Sequence, residues 1–212
     1  MDIIEAEATE DIEQMAAILP SEKPYLKTGI FRSWASRIPW LLLLMISATF
    51  TSKIISSYEA ALAACTVLTA FIPMIMDTGG NAGGQVTAII IRGLSLGEIG
   101  IRDIFRVVWK ELRVSLLCGL TLVPAVFLKV MYIDGLHAEP DGLVISFVVS
   151  ATLLFVVVIA KLVGCLLPLL AKACRLDPAV IANPLITTVV DALALIVYFA
   201  LASHLIPALM GG

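Results

Sequence analysis

Residues 143–170 read LVISFVVSATLLFVVVIAKLVGCLLPLL, a run of 28 positions in which Lys161 is the only charged side chain. A helix needs about 20 apolar residues to cross the hydrocarbon core of a bilayer, so this run is long enough to span it. The rest of the chain is similar, because 60% of its 212 residues are hydrophobic and 15% are charged. A soluble domain is about one quarter charged. The sequence therefore predicts an integral membrane protein.

Four further apolar runs accompany this one. The five predicted spans cover roughly residues 38–57, 60–92, 104–133, 143–171 and 184–206. The polar residues 1–37 precede them and contain a Ser-Glu-Lys-Pro stretch at 21–24, which should break any helix there. We predict an all-α integral membrane protein in which an acidic cytoplasmic segment, residues 1–37, precedes a five-helix transmembrane domain, residues 38–212.

The basic residues are distributed unevenly between the two sides of the membrane. Five spans put the termini on opposite faces, and a cytoplasmic N-terminus leaves Lys53 and Lys129 outside and Lys161 within a span. The basic residues then on the cytoplasmic side are Lys23, Lys27, Arg32, Arg37, Arg92, Arg102, Arg106, Lys110, Arg113, Lys172 and Arg175. Because cytoplasmic loops carry the excess of Lys and Arg, we predict a cell-membrane protein with its N-terminus inside and its C-terminus outside.

The last span carries a polar stripe on an otherwise apolar helix. Asn183, Thr187 and Asp191 recur every four residues and share one face, which Tyr198 continues further out. A carboxylate near the bilayer centre costs roughly 2.5–3.5 kcal/mol on insertion scales, and such residues usually mark ion or proton pathways. Asp191 is therefore the candidate metal ligand. The alternative is a structural Asp that is hydrogen-bonded to neighbouring helices or paired with Lys161.

The second span contains the glycine-rich segment DTGGNAGGQ at 77–85. Irregular backbone at membrane depth is tolerated only against protein or a water-filled cavity, so we predict a break here that contributes to an ion path. Asn81 and Gln85 are four residues apart and share a face, and Asp77 opens the segment. The alternative is that the glycines serve close helix packing, which does not exclude a pore-lining role.

Two prolines bracket the start of the stripe in the last span. Pro178 and Pro184 should leave backbone carbonyl groups free between Ala179 and Asn183, as oxygen ligands at the cytoplasmic mouth. Two interrupted segments, one in the second span and one before the fifth, are the pattern expected where an ion site is built from broken helices.

All the candidate ligands are oxygen atoms of carboxylate, amide, hydroxyl or backbone carbonyl groups. Such ligands suit Mg²⁺, Ca²⁺ or Mn²⁺, and the absence of His or Cys near the stripe argues against Zn²⁺ or Cu. Mg²⁺ gives up its waters reluctantly, so a pore for the largely hydrated ion needs few carboxylates. One Asp per subunit, doubled by a two-fold axis, fits this requirement. The ligand chemistry alone does not separate Mg²⁺ from Ca²⁺ or Mn²⁺.

Two segments resemble the MgtE-type magnesium channels. FIPMIMDTGGNAGGQ at 71–85 resembles the second-helix signature of that family, and LDPAVIANPLITTVVD at 176–191 resembles the start of its fifth helix. With the five-span pattern, the resemblance covers essentially the whole chain. It implies a homodimer with one pore on the two-fold axis, lined by helices two and five. It also implies that Asp191 binds hydrated Mg²⁺ and that Asn183 lies nearer the cytoplasm.

The acidic plug helix of that family is similar to residues 5–12. Glu7, Glu10 and Asp11 have helical spacing and are candidate ligands for a regulatory Mg²⁺, the alternative being a solvated helix face. MgtE-type proteins usually carry a superhelical domain and two CBS domains before this helix, whereas residue 1 falls where the CBS pair should end. We therefore expect constitutive or weakly regulated conduction.

The expected function is passage of Mg²⁺ into the cytoplasm through a channel. The first alternative is a secondary transporter of divalent metal that is coupled to a cation or proton gradient, with Asp191 as the coupling carboxylate. The second is a non-transporting membrane subunit. The sequence shows no Ser/His/Asp or Cys/His grouping at plausible depth, so we expect no enzyme activity and assign the four cysteines no role. The expected partners are a second copy of the chain, membrane lipid and Mg²⁺, and no nucleic acid.

Overall fold

The computed structural model describes residues 10, 12–14, 16, 18, 25–206 and 209, without the side chains of residues 180–184. This part of the chain contains helices and no strand, which confirms the predicted all-α class. Its α-helices are α1 (Ile30–Ser57), α2 (Glu59–Ala64), α3 (Ile72–Ser95), α4 (Ile104–Leu128), α5 (Gly142–Ala173) and α6 (Pro178–Leu205). Short 3-10 helices cover Tyr25–Lys27, Thr66–Phe71, Ile101–Asp103 and Leu136–Ala138, and a π turn at Lys129–Ile133 extends α4.

Helix α5 lies at the centre of a bundle and contacts α3, α4 and α6. Three apolar clusters follow its length. They contain Leu153 with Tyr198, Ala160 with Val190, and Cys165 with Ile90. Because α5 buries side chains against three neighbours, almost all of its residues are apolar, as the sequence of 143–170 indicated.

Helix α1 lies at the edge of this bundle. It packs mainly against α6 and has no buried residue among its 28 positions. Large apolar side chains such as Leu42, Met45 and Phe50 are about half exposed or more. In a membrane these side chains are suited to contact with lipid, because lipid tails are as apolar as the side chains themselves.

The predicted break at residues 77–85 is wrong, because α3 continues without interruption from Ile72 to Ser95. Gly costs about 1 kcal/mol relative to Ala in a helix, and close packing of α5 and α6 against this segment offsets that cost. The interruption lies earlier, at Cys65, where α2 ends and the 3-10 segment Thr66–Phe71 begins. The phenol of Tyr198 donates a hydrogen bond of 2.9 Å to the carbonyl oxygen of Leu68 and fixes this segment to α6.

The fifth predicted span is also a continuous helix, so the expected interruption between Ala179 and Asn183 is not found. Helix α6 begins at Pro178, and a proline is tolerated in the first turn because its missing N–H is not needed there. Asp177 caps the helix by accepting a hydrogen bond of 2.9 Å from the backbone N–H of Ala179.

Within the described residues, four helical stretches are long and apolar enough to cross a membrane: Ile30–Ser57, Ile101–Ile133, Gly142–Ala173 and Leu185–Leu205. The chain is therefore a multi-pass membrane protein. Helix α3 is not among the four because its polar and glycine residues lower its hydropathy. Its 24 residues nevertheless measure about 36 Å, enough to cross a bilayer beside the others.

Candidate cation site

Helix α3 presents a polar face to the outside of the bundle. Asp77, Asn81 and Gln85 are one turn apart and exposed, whereas Ala82 and Val86 on the other side are buried. Lipid offers no hydrogen bonds to carboxylates or amides, so polar groups at this depth need water, an ion or protein beside them. The exposed face of α3 is therefore a surface that lipid alone does not satisfy.

Helix α6 completes a groove along this face. The polar groove has a volume of about 620 Å³. Its lining comprises Met76, Asp77, Gly80, Asn81, Gly84, Gln85, Thr87 and Ala88 on α3, and Thr187 and Asp191 on α6. The structure thus brings together five residues that the sequence singled out: Asp77, Asn81, Gln85, Thr187 and Asp191.

The glycines of α3 have two different structural roles. A Cβ atom on Gly79 would lie 2.8 Å from side chains of both Val156 and Val190, and one on Gly83 would lie 3.0 Å from Ile186. These two glycines allow α5 and α6 to approach closely. A Cβ on Gly80 would meet only Thr187, at 3.8 Å, because Gly80 borders the polar groove. Close packing and groove lining therefore occur on adjacent faces of one helix.

The polar groups of the groove are available to a ligand. In the described part of the chain, no hydrogen bond or ion pair engages the side chains of Asp77, Asn81, Gln85 or Asp191. The carboxylates of Asp77 and Asp191 lie close enough to repel each other. Two carboxylates and two amides without protein partners provide hard oxygen ligands, which suit a cation such as Mg²⁺, Ca²⁺ or Mn²⁺.

Residues 72–201 match the MgtE family, described as "Divalent cation transporter". The chain belongs to the MgtE family. The matched residues begin with the first residue of α3 and extend into the last turns of α6, so the family region contains the whole polar groove and the helices that form it. The resemblance noted in the sequence is thereby confirmed.

Three MgtE relatives match nearly the full length of this chain. It is 38% identical over 208 residues to the magnesium transporter MgtE of Thermus thermophilus, a match that covers 98% of this chain and 45% of that protein. The magnesium transporter MgtE of Bacillus subtilis is 33% identical over 209 residues, a match that covers 99% of this chain and 45% of that protein. The magnesium transporter MgtE of Enterococcus faecalis is 30% identical over 203 residues, a match that covers 96% of this chain and 43% of that protein. The chain thus spans somewhat less than half the length of these relatives.

The part of the chain that the structure describes places none of the other predicted site residues in the groove. Asn183 lies in α6, but its side chain is outside the described residues. Ala179 is buried among apolar side chains of α3 and α5. Among the predicted regulatory residues, Glu7 and Asp11 lie outside the described residues. Glu10 is exposed and accepts a hydrogen bond of 2.9 Å from the amide of Gln14.

Two other residues differ from their predicted surroundings. Tyr198 does not continue the polar stripe, because its side chain is fully buried against Phe199 and its hydroxyl is bonded to Leu68. Lys161 forms no ion pair with Asp191 in the described part of the structure. It lines a second cavity, between α3, α4 and α5, which was not predicted from the sequence.

Beside the polar face runs a row of four residues, three of them small, of which the sequence had indicated the glycines but not the row as a whole. Met76, Gly80, Gly84 and Ala88 are spaced four apart and all line the groove. The spacing of four residues is visible in the sequence, where this row lies next to the row formed by Asp77, Asn81 and Gln85. In this MgtE chain, the wide floor of the groove is made largely by the short side chains of this row.

Proposed function

We propose that this chain conducts Mg²⁺ into the cytoplasm, through a pore that forms where the polar grooves of two copies face each other on a two-fold axis. The observation that carries this proposal is the polar groove itself, whose carboxylates and amides have no protein partner among the described residues. Two of these groups, those of Asp191 and Gln85, lie near the middle of their helices. Asp191 is the fourteenth of the 28 residues of α6, and Gln85 is the fourteenth of the 24 residues of α3.

The exposure of the polar face supports the homodimer. In a single chain Asp77, Asn81 and Gln85 would face lipid, which is energetically unfavourable for carboxylate and amide groups. A second copy packed on the same face removes these groups from lipid and encloses a water-filled path between the two grooves. Closed two-fold dimers bring the same surface of both copies together, which doubles each ligand.

The chemistry of the groove supports a hydrated ion. Mg²⁺ retains several waters, and amide and carboxylate oxygens bind it through those waters as well as directly. Gly80 and Gly84 leave room beside the ligands for the water shell. The three relatives named above are magnesium transporters, which supports Mg²⁺ as the ion among the hard divalent cations.

Orientation and regulation form part of the same proposal. The excess of Lys and Arg in the predicted inner loops supports a cytoplasmic N-terminus in a five-span topology. In that orientation the acidic segment with Glu7, Glu10 and Asp11 lies on the cytoplasmic side, where Mg²⁺ released from the pore reaches it. Binding there would regulate conduction only weakly, in line with the constitutive or weakly regulated conduction expected from the sequence.

Flux into liposomes tests the function and separates a channel from a coupled carrier. The purified chain is reconstituted with a Mg²⁺-sensitive dye inside, and a K⁺ gradient with an ionophore sets the membrane potential. We expect Mg²⁺ uptake that follows the potential without a Na⁺ or H⁺ gradient. Uptake that requires either gradient favours the coupled transporter, and the absence of uptake at any gradient contradicts both forms of transport.

Cross-linking tests the dimer. In a chain whose four cysteines are replaced by alanine, Asn81→Cys should be joined between copies by a bifunctional thiol reagent that is long enough to span the pore, because the two α3 helices face each other across it. A direct disulfide would require the two residues to be closer than a path for the hydrated ion allows. Trp109→Cys on α4 is the control, since its side chain is also exposed but lies on another helix. Equal cross-linking of the two variants would contradict the proposed interface.

A further inference from the structure

Lys161 is a charged residue buried within the bundle. It lies in the central helix α5 with 6% of its surface exposed, and no hydrogen bond or ion pair joins it to a residue that the structure describes. An ammonium group removed from water is costly unless an acidic group or another acceptor compensates it. A nearby negative charge would stabilise the ammonium group in this position.

The side chain of Lys161 lines a second cavity of about 540 Å³, between α3, α4 and α5. Thr121 borders it on α4, and Asp77, Asn81 and Gln85 border it on α3. These three α3 residues also line the polar groove. The second cavity and the groove are thus adjacent and share the same polar face of α3.

Lys161 and Asp77 both line this cavity, and general helix geometry favours a Lys161 side chain that is directed toward the end of α3 that carries Asp77. Gly79 lies against Val156 and Gly83 approaches Ala160, so α3 and α5 run parallel with Lys161 near the level of Gly83. Helical side chains leave toward the N-terminus of their helix, and Asp77 lies on the N-terminal side of Gly83. Asp77 is the only acidic residue among the described residues that line the second cavity.

The other buried charge between α4 and α5 is Glu111. It is 8% exposed and lies on α4, but it does not line the second cavity or the polar groove. Asp191 lines the polar groove but not the second cavity. Asp77 is therefore the carboxylate that faces both the ion path and Lys161.

We propose that Lys161 is a counter-cation built into the MgtE pore, whose ammonium offsets the charge of Asp77 while no ion is bound. The inference rests on the proposed function, because it assumes that the polar groove is the ion path. With Lys161, each copy contributes two negative charges and one positive charge to the pore. A dimer therefore has a net charge of −2 there, which one divalent cation neutralises. Without Lys161 the same pore would present four uncompensated negative charges.

This charge balance determines how tightly the pore holds its ion. Conduction requires binding that is strong enough for entry and weak enough for release. A pore with four uncompensated carboxylates would bind a divalent cation more tightly and release it more slowly. Lys161 thus sets affinity and rate without being a ligand of the ion.

The test measures Mg²⁺ uptake into liposomes as a function of Mg²⁺ concentration. Lys161→Met should lower the half-saturating concentration about tenfold and reduce the maximal rate, because loss of the ammonium leaves the carboxylates of the pore uncompensated. Lys161→Arg retains the charge and should resemble the wild type. Glu111→Gln is the matched control, because it removes an equally buried charge that does not border the path.

Asp77→Asn separates the counter-cation role from a purely structural one. Alone, it should raise the half-saturating concentration, as the loss of any carboxylate of the pore would. Combined with Lys161→Met, it restores the net charge of each copy, so the double variant should return to within about twofold of the wild type, whereas a purely structural role of Lys161 predicts the half-saturating concentration of Asp77→Asn alone. If Lys161→Met does not fold, Lys161→Gln, which keeps a polar side chain in the cavity, takes its place.

Three results would overturn the inference. One is a Lys161→Met chain that melts at a lower temperature but keeps the wild-type half-saturating concentration. The second is a Lys161→Arg chain with the same kinetics as Lys161→Met. The third is a double variant that shows no compensation. A wild-type chain that passes no Mg²⁺ would instead overturn the proposed function and the inference with it.

Discussion

The hydroxyl oxygen of Thr87 lies 3.0 Å from the carbonyl oxygen of Gly164, where α3 and α5 come closest to each other. The same hydroxyl lies 3.0 Å from the carbonyl oxygen of Gly83 in its own helix, so its single proton serves two acceptors. A Cβ atom on Gly164 would lie 2.5 Å from the carbonyl oxygen of Gly83. The polar face of α3 is therefore held in place by a contact that only glycine permits.

Gly164→Ala should destabilise the protein and lower Mg²⁺ flux together. The added methyl group collides with the backbone of α3, and overpacking of this kind costs about 1–3 kcal/mol. Thermal melting of the detergent-solubilised protein measures the loss. Gly29→Ala is the control, because a Cβ there has no neighbour within 4 Å and should leave the melting temperature unchanged. Equal melting temperatures of the two variants would show that α3 and α5 are less closely packed in the protein than in this structure.

Alanine at two adjacent glycines of α3 should have opposite consequences. Gly79→Ala places a methyl group 2.8 Å from Val156 and Val190 and should lower the melting temperature, at a cost of about 1–3 kcal/mol. Gly80→Ala fits, because its Cβ meets only Thr187 at 3.8 Å. It should keep the melting temperature and reduce Mg²⁺ flux, since the methyl group narrows the polar groove. Unchanged flux in a stable Gly80→Ala protein would place the ion path elsewhere.

Tyr198→Phe should weaken the attachment of the segment before α3 to α6. It leaves the buried carbonyl of Leu68 without the donor that it has at 2.9 Å, and such a loss costs about 1–3 kcal/mol. Thermal melting measures the effect, with Tyr132→Phe as the control because that side chain is 66% exposed. If both substitutions change the melting temperature equally, the Tyr198 hydrogen bond does not stabilise the fold.

The long helices could be predicted because their apolar runs exceed the length of a span. The polar groove was also predictable in outline, since Asp77, Asn81 and Gln85 recur every four residues, as do Thr187 and Asp191. The continuity of α3 could not be predicted. Helix propensity disfavours Gly79 and Gly83, whereas the packing of Val156 and Val190 against this part of α3 stabilises the helix. Lys161 was placed in a span, but its cavity depends on the register between α3 and α5, which a single sequence does not contain.

The most direct measurement for the central claim is Mg²⁺ uptake into liposomes by the wild-type chain and by Asp191→Asn. We predict uptake by the wild type and a loss of roughly tenfold or more in the variant, since a hydrogen bond to a charged group contributes about 1.5–3 kcal/mol and the dimer loses two such carboxylates. Asp134→Asn, which removes a carboxylate paired with Lys129 at 2.8 Å outside the groove, should conduct like the wild type. Equal uptake by the wild type and Asp191→Asn would contradict the assignment of the polar groove as the ion path.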